Sequence, residues 1–150
     1  MSKLMEKKYI NLKYVVYDIE TLKNCFTCCF LDYDSKKKKE FVIHNSRNDF
    51  KDFIKFLIKL KQNNYYFVGF NNLFFDSQIL QYIFEKRNIF EKLSADEITS
   101  KIYEKTQEII ALQNLDDKYL YLISEWQQIF PQIDLFKQKH YDGKAKRGTS

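Results

Sequence analysis

The stretch Tyr14-Val15-Val16-Tyr17-Asp18-Ile19-Glu20 decides the fold class, because an aromatic and β-branched run closes on two carboxylates spaced two apart. Such residues suit extended backbone, and the run predicts a strand over residues 9–20. In a strand, residues i and i+2 share a face, so Asp18 and Glu20 point to one side. Two acids at the end of a buried strand are costly unless something neutralises them, and a divalent cation with oxygen ligands does so. An Asp-x-Glu after an apolar run more commonly marks a strand leaving the core for water. Taken alone, the segment leaves both readings open.

Working outward, residues 25–32 and 40–43 read as two further strands. They join into a hairpin through the lysine run 36–39, which suits a solvated turn. Ser46 and Asp49 have the spacing of a capping box ahead of Phe50, Phe53, Ile54 and Leu57, whose stripe predicts a helix. Residues 65–70 are a short apolar run entering a loop at Asn71-Asn72. A second helix is expected from Asp76 or Ser77, with Ile79, Leu80, Ile83 and Phe84 inward. Ser94 and Glu97 form another capping box before Ile98, Ile102 and Ile109, and Leu115-Asp116-Asp117 ends that helix. Residues 118–130 are ambiguous between helix and strand, residues 132–136 suit a short strand after Pro131, and residues 137–150 show no periodicity. The order β-β-β-α-β-α-α-β predicts an α/β domain whose mixed central sheet is antiparallel first and parallel later.

Asn71-Asn72-Leu73-Phe74-Phe75-Asp76 follows the fourth strand. In one reading Asp76 stands near a helix N-terminus with its carboxylate facing Asp18 across the sheet edge. In the other it is a first-turn residue favoured by the helix dipole, and Asn71 is a turn residue. The two acidic segments say more together than apart. Tyr-Asp-Ile-Glu-Thr at 17–21 resembles the first motif of the DEDD-type 3′–5′ exonuclease domain found with family B DNA polymerases. Val68-Gly69-Phe70-Asn71 through Phe75-Asp76 resembles its second motif, Asn-x-x-x-Phe-Asp. Ile133-Asp134-Leu135-Phe136-Lys137 and His140-Tyr141-Asp142 resemble a segment that follows the second motif in phage-type members. The resemblance spans residues 12–147.

That resemblance implies a ribonuclease H-like (exonuclease) fold, a mixed central sheet flanked by helices, in a single domain over residues 1–150. It implies proofreading-type removal of nucleotides from a DNA 3′ end, single-stranded or frayed, by two-metal phosphodiester hydrolysis. Asp18 would ligate both of two Mg²⁺ or Mn²⁺ ions, with Glu20 and Asp76 each helping to hold one. The ions would lie about 3.5–4 Å apart, one activating water and one stabilising the leaving 3′ oxygen. Asn71 and Thr21 would contact the strand end, and Phe75 would pack the helix.

The family's third motif supplies a fourth carboxylate, and nothing after Asp76 fits it. His44 and Asp49 have a suitable spacing but lie between the first two motifs. Asp134 reads as an inner-strand structural acid, and Asp142 lies in the tail. The expectation is therefore a C-terminally incomplete domain, truncated after residue 150, as in a split DNA polymerase. It would be weakly active or inactive until a downstream polymerase or exonuclease segment completes it. The alternative is a catalytically inactive remnant that binds nucleic acid or a polymerase, and a third reading replaces DNA by RNA.

Composition agrees with one globular domain, since 150 residues that are 45% hydrophobic and 30% charged can bury a core but cannot hold a polymerase. The 14 Phe and 11 Tyr, against 3 Gly and 1 Pro, read as an AT-rich coding bias without functional weight. A net charge of +5 permits a polyanionic partner without requiring one. Beside the run 36–39, Lys137, Lys139, Lys144, Lys146 and Arg147 make a second basic cluster. Cys25, Cys28 and Cys29 have only His44 and His140 as possible co-ligands, so they read as small hydrophobes buried on a strand and not as a zinc site. Their odd number, with no signal peptide or long apolar run, points to a reduced cytoplasmic protein with no membrane partner.

Overall fold

β1 (Lys13–Leu22) alternates along its length, burying Val15, Tyr17 and Ile19 and exposing Val16, Asp18 and Glu20. The computed structural model describes residues 12–115 and 122–136, so the first residues of the strand expected from position 9 lie outside the described residues. β2 (Cys25–Asp32) and β3 (Lys38–His44) continue an antiparallel meander from β1, with Asp18 opposite Cys29 and Cys29 opposite Glu40. A two-residue β4 (Arg47–Asn48), which the sequence did not suggest, folds back on β3. After α1 (Phe50–Gln62), β5 (Tyr65–Gly69) lies parallel to β1 on its other side, and β6 (Gln132–Asp134) lies parallel to β5. The six-stranded sheet runs β4-β3-β2-β1-β5-β6. The expected antiparallel-then-parallel sheet of an α/β fold is therefore present.

The remaining helices are α2 (Asp76–Glu85), a short α3 (Arg87–Phe90) and α4 (Ala95–Gln113). In the segment 118–130, the described residues include one 3-10 turn at Glu125–Gln127. The helices' apolar stripes join the inward strand residues in one core that includes Phe26, Phe53, Leu57, Phe67, Ile79, Leu80, Ile98 and Ile102. Among the described residues this core occupies one face of the sheet. The other face keeps Val16, Asp18, Glu20, Cys29 and Glu40 exposed. The expectation of helices flanking the sheet is met on one side.

Most of the phenylalanines that composition left without a role fill this core, while Phe70 is exposed. The Phe30 ring meets Tyr17, Phe41, Phe53, Phe56 and Phe67 at centroid separations between 4.9 and 6.3 Å. Aromatic pairs in that range contribute about 0.5–1.5 kcal/mol each beyond burial.

Local capping splits into one success and one failure. At α4 the capping box forms: Ser94 Oγ accepts the Glu97 N–H at 3.2 Å, and Glu97 Oε1 accepts the Ser94 N–H at 3.3 Å. At α1 it does not. Asp49 is the N-cap residue without a side-chain cap, because its carboxylate accepts from the Val42 N–H at 2.9 Å and from Arg47 at 2.8 Å. Ser46 Oγ instead meets His44 Nδ1 at 2.8 Å. The β3–β4 hairpin, a tertiary feature, takes both groups away from the helix end. Among the described residues, no helix is long and apolar enough to cross a membrane.

Candidate metal and nucleic-acid site

β1, β5 and β6 run the same way, so their carboxyl ends lie at one end of the sheet. That end receives Asp18 and Glu20 from β1, the loop after Gly69 from β5, and Asp134 from β6. Open sheets with parallel strands collect ligands beyond these ends. Pairing of β1 with β5 runs out at Val16↔Val68, while β1 continues to Leu22. Backbone donors beyond that point need another partner. Asp76, in the first turn of α2, supplies one, its Oδ2 accepting the Ile19 N–H at 3.3 Å. This contact brings the second acidic segment against the first.

Asp76 is only 7% exposed, and its pKa is pushed up to about 7. Burial is the largest cause, the neighbouring Asp18 carboxylate the next, and Asp134 a smaller one. The Ile19 N–H and the backbone of Asp76 itself pull the other way. Like-charge repulsion from Asp18 thus acts second to desolvation. Neither Asp18 nor Asp76 takes part in an ion pair among the described residues.

Asp134 holds the loop that delivers Asp76. Its Oδ1 accepts the Asn71 N–H at 2.8 Å and the Phe136 N–H at 3.0 Å, while Oδ2 accepts the Leu73 N–H at 3.1 Å. Both oxygens are thus committed to backbone, as the reading of a structural acid requires. Asn71 is exposed and takes φ 61°, a left-handed conformation that asparagine tolerates in tight loops. Asn72, fully buried, donates from Nδ2 to Gln132 Oε1 at 2.7 Å, and the Tyr17 hydroxyl donates to the same oxygen at 2.6 Å. Burial drives the Tyr17 pKa well up, which keeps that hydroxyl protonated as a donor. Asn72 Oδ1 is buried and finds no partner among the described residues. This triad was missed because its members lie far apart in sequence, and a lone Asn, Gln or Tyr signals nothing by itself.

The other expected site residues are placed as follows. Glu20 is exposed on the same strand face as Asp18, opposite Thr27. Thr21 is half-buried opposite Phe26, and Phe75 packs against the core. Cys28 is buried and Cys25 half-buried, but Cys29 is exposed, which corrects the reading of all three as core. Burial, then Glu40, Asp18 and Glu20, raise the Cys29 pKa, so the outer face beside Asp18 is electrically negative. His44 and Asp49 lie towards the same end of the sheet but on and beside β3, with β2 between them and β1. Asp142, His140 and the basic cluster after residue 136 lie outside the described residues. A recess of about 550 Å³ on the outer face is lined by Val16, Asp18, Cys29, Leu31, Lys38 and Glu40, among others.

The donors at this sheet end are carboxylates, which fit a hard divalent cation better than zinc. Asp18 and Asp76 are brought within electrostatic reach. Among the described residues, however, no group of three or more His, Cys, Asp or Glu is gathered tightly enough to hold an ion. The pair fits a cation; the expected trio is not assembled around one point. No family model matches the chain, and no curated protein or solved structure matches it.

Proposed function

We propose that the chain is a 3′–5′ exonuclease-type module of the DEDD class, with a ribonuclease H-like fold, acting on DNA 3′ ends. The observation that carries this reading is the convergence of Asp18 and Asp76, through the contact of Ile19 with Asp76 across 57 residues, at the carboxyl ends of parallel strands. The antiparallel meander on one side of β1 and the parallel β5 and β6 on the other support the fold assignment.

In this reading Asp18 and Asp76 would hold a Mg²⁺ or Mn²⁺ ion, with Glu20 further along the shared strand face. When bound, such ions activate water and stabilise the leaving 3′ oxygen. The protein's own part is to present the carboxylates. Asp134 fixes the loop, the Ile19 N–H orients Asp76, and the recess beside Asp18 gives room for a strand end.

A second reading, a nucleic-acid-binding module without catalysis, draws on the absence of a three-acid cluster among the described residues. A single-turnover assay with excess protein on 5′-labelled single-stranded DNA in Mn²⁺ separates the two. The exonuclease reading expects slow shortening from the 3′ end, lost in Asp18→Ala. Intact DNA, or cleavage surviving Asp18→Ala, would reject it.

A further inference from the structure

The lysine run 36–39 is exposed, as a solvated turn should be, and it also borders a cavity. The β2–β3 connection is wound tightly on Asp32. Asp32 Oδ1 accepts the Asp34 N–H at 3.0 Å, the Asp32 carbonyl accepts the Lys36 N–H at 2.9 Å, and Ser35 Oγ accepts the Lys37 N–H at 3.3 Å. This winding sets Lys37, Lys38 and Lys39 around a cavity of about 450 Å³, between the sheet and the last turn of α1, where Lys13 and Lys59 join them. The apolar part of its wall includes Phe30, Phe56, Leu60 and Tyr65. The Tyr65 ring is held by its hydroxyl, which donates to Asp32 Oδ2 at 3.0 Å.

Five lysines and one carboxylate, Asp32, line this cavity. Neither of the two ion pairs found among the described residues involves any of these lysines. A cleft walled by one sign of charge focuses its field and draws in the opposite charge.

Two neighbouring hollows share part of the cavity's lining. Lys13, Asn63 and Tyr65 line a second hollow of about 610 Å³ that adds Lys61. On the other side Lys39, Phe56 and Lys59 line a third of about 380 Å³ that adds Lys55 and Arg47 together with Glu40, Asp49 and Asp52. Phe30, Lys38 and Lys39 also line the recess that holds Asp18, but that recess lies on the opposite face of the sheet. Neighbouring hollows that share lysines fit a chain of charges better than a single small anion.

We propose that this groove is a track for single-stranded nucleic acid, with lysines on the phosphates and Tyr65 offering a stacking surface to a base. Sequence-independent single-strand binding uses this combination of a basic groove and aromatic platforms. Lys13 stands five residues before Asp18, about 16 Å along β1 and of the opposite strand parity, so the track lies outside the carboxylate site. The ligand class rests on the nucleic-acid reading above, and the test keeps the two claims separable.

The test is fluorescence anisotropy of a labelled oligothymidylate of about 12 nucleotides, within the usual single-strand footprint. It uses the full chain in EDTA, where metal-dependent cleavage cannot occur. The double variant Lys37→Gln/Lys59→Gln should bind on the order of tenfold more weakly, with a salt slope reduced by about 1.4, or about 0.7 per lost phosphate contact. Lys51→Gln/Lys101→Gln, at exposed lysines outside the groove, should change neither quantity. If the first variant fails to fold, Lys13→Gln/Lys39→Gln takes its place. An unmodified chain that does not bind the oligonucleotide overturns the track, as do equal losses in groove and control variants or full affinity in the groove variants. So does equal competition by poly-glutamate of matched charge. Binding that depends on the groove lysines, without Mn²⁺-dependent cleavage, leaves the track standing and removes the exonuclease reading. Cleavage with normal binding by the lysine variants does the reverse.

Discussion

Asp76 Oδ2 accepts the backbone N–H of Ile19 at 3.3 Å across 57 residues of sequence, so one buried carboxylate serves as a strand partner and as a neighbour of Asp18. The first role is met by any acceptor oxygen, whereas the second sets up a charge problem. Those two roles respond differently to pH and to substitution.

The Asp76 pKa rises from 3.8 to about 7 on folding. Between those values the native state binds more protons than the unfolded chain, so stability falls as pH rises through that window and levels off above it. Asp76→Asn keeps an oxygen for the Ile19 N–H and carries no charge at any pH. In EDTA, its melting temperature relative to the unmodified chain should therefore climb by a few degrees from pH 5 to pH 8. Thermal melts at the two pH values check this, and a pH-independent difference would contradict the buried-carboxylate account.

Gly69 leaves no room for a side chain. A Cβ there would lie 2.9 Å from both Cβ and Cγ of Asn72, whose amide is held by Gln132 at 2.7 Å. Asn72 cannot yield without breaking that bond, so Gly69→Ala should cost about 1–3 kcal/mol, as overpacking usually does. Denaturant midpoints measure it, and a variant as stable as the parent would show that the Asn72 loop is loosely held.

Removing the Asp134 carboxylate should free the loop after β5. Asp134→Ala leaves the Asn71 and Leu73 N–H groups without their acceptor, at about 1–3 kcal/mol. Amide exchange at Asn71 and Leu73 should accelerate, while exchange in α4 changes only by the global loss of stability. Unchanged exchange at those two amides would mean that Asp134 does not hold the loop.

The face shared by Asp18 and Glu20 could be read from sequence because strand alternation is a local rule. So could the Ser94–Glu97 cap, whose partners lie three residues apart. The cap at Ser46 and Asp49 misled for the opposite reason, since the hairpin with Arg47 offers Asp49 better partners than the helix end does. Asn72, Gln132 and Tyr17 could not be found in advance, because their shared oxygen joins residues 60 and 115 positions apart. The lysine run was visible as charge, but its groove depends on where α1 ends and on Lys13 and Lys59 arriving beside it.

Mn²⁺-dependent thermal stability tests the proposed metal site most directly. A ligand that binds only the folded state raises its melting temperature by mass action, and protons compete for Asp76. Millimolar Mn²⁺ should raise the melting temperature of the unmodified chain by a few degrees at pH 8, and by less at pH 5.5. Asp18→Ala and Asp76→Asn should each lose most of that gain. A melting temperature indifferent to Mn²⁺, or a gain preserved in both variants, would contradict a metal site built on Asp18 and Asp76.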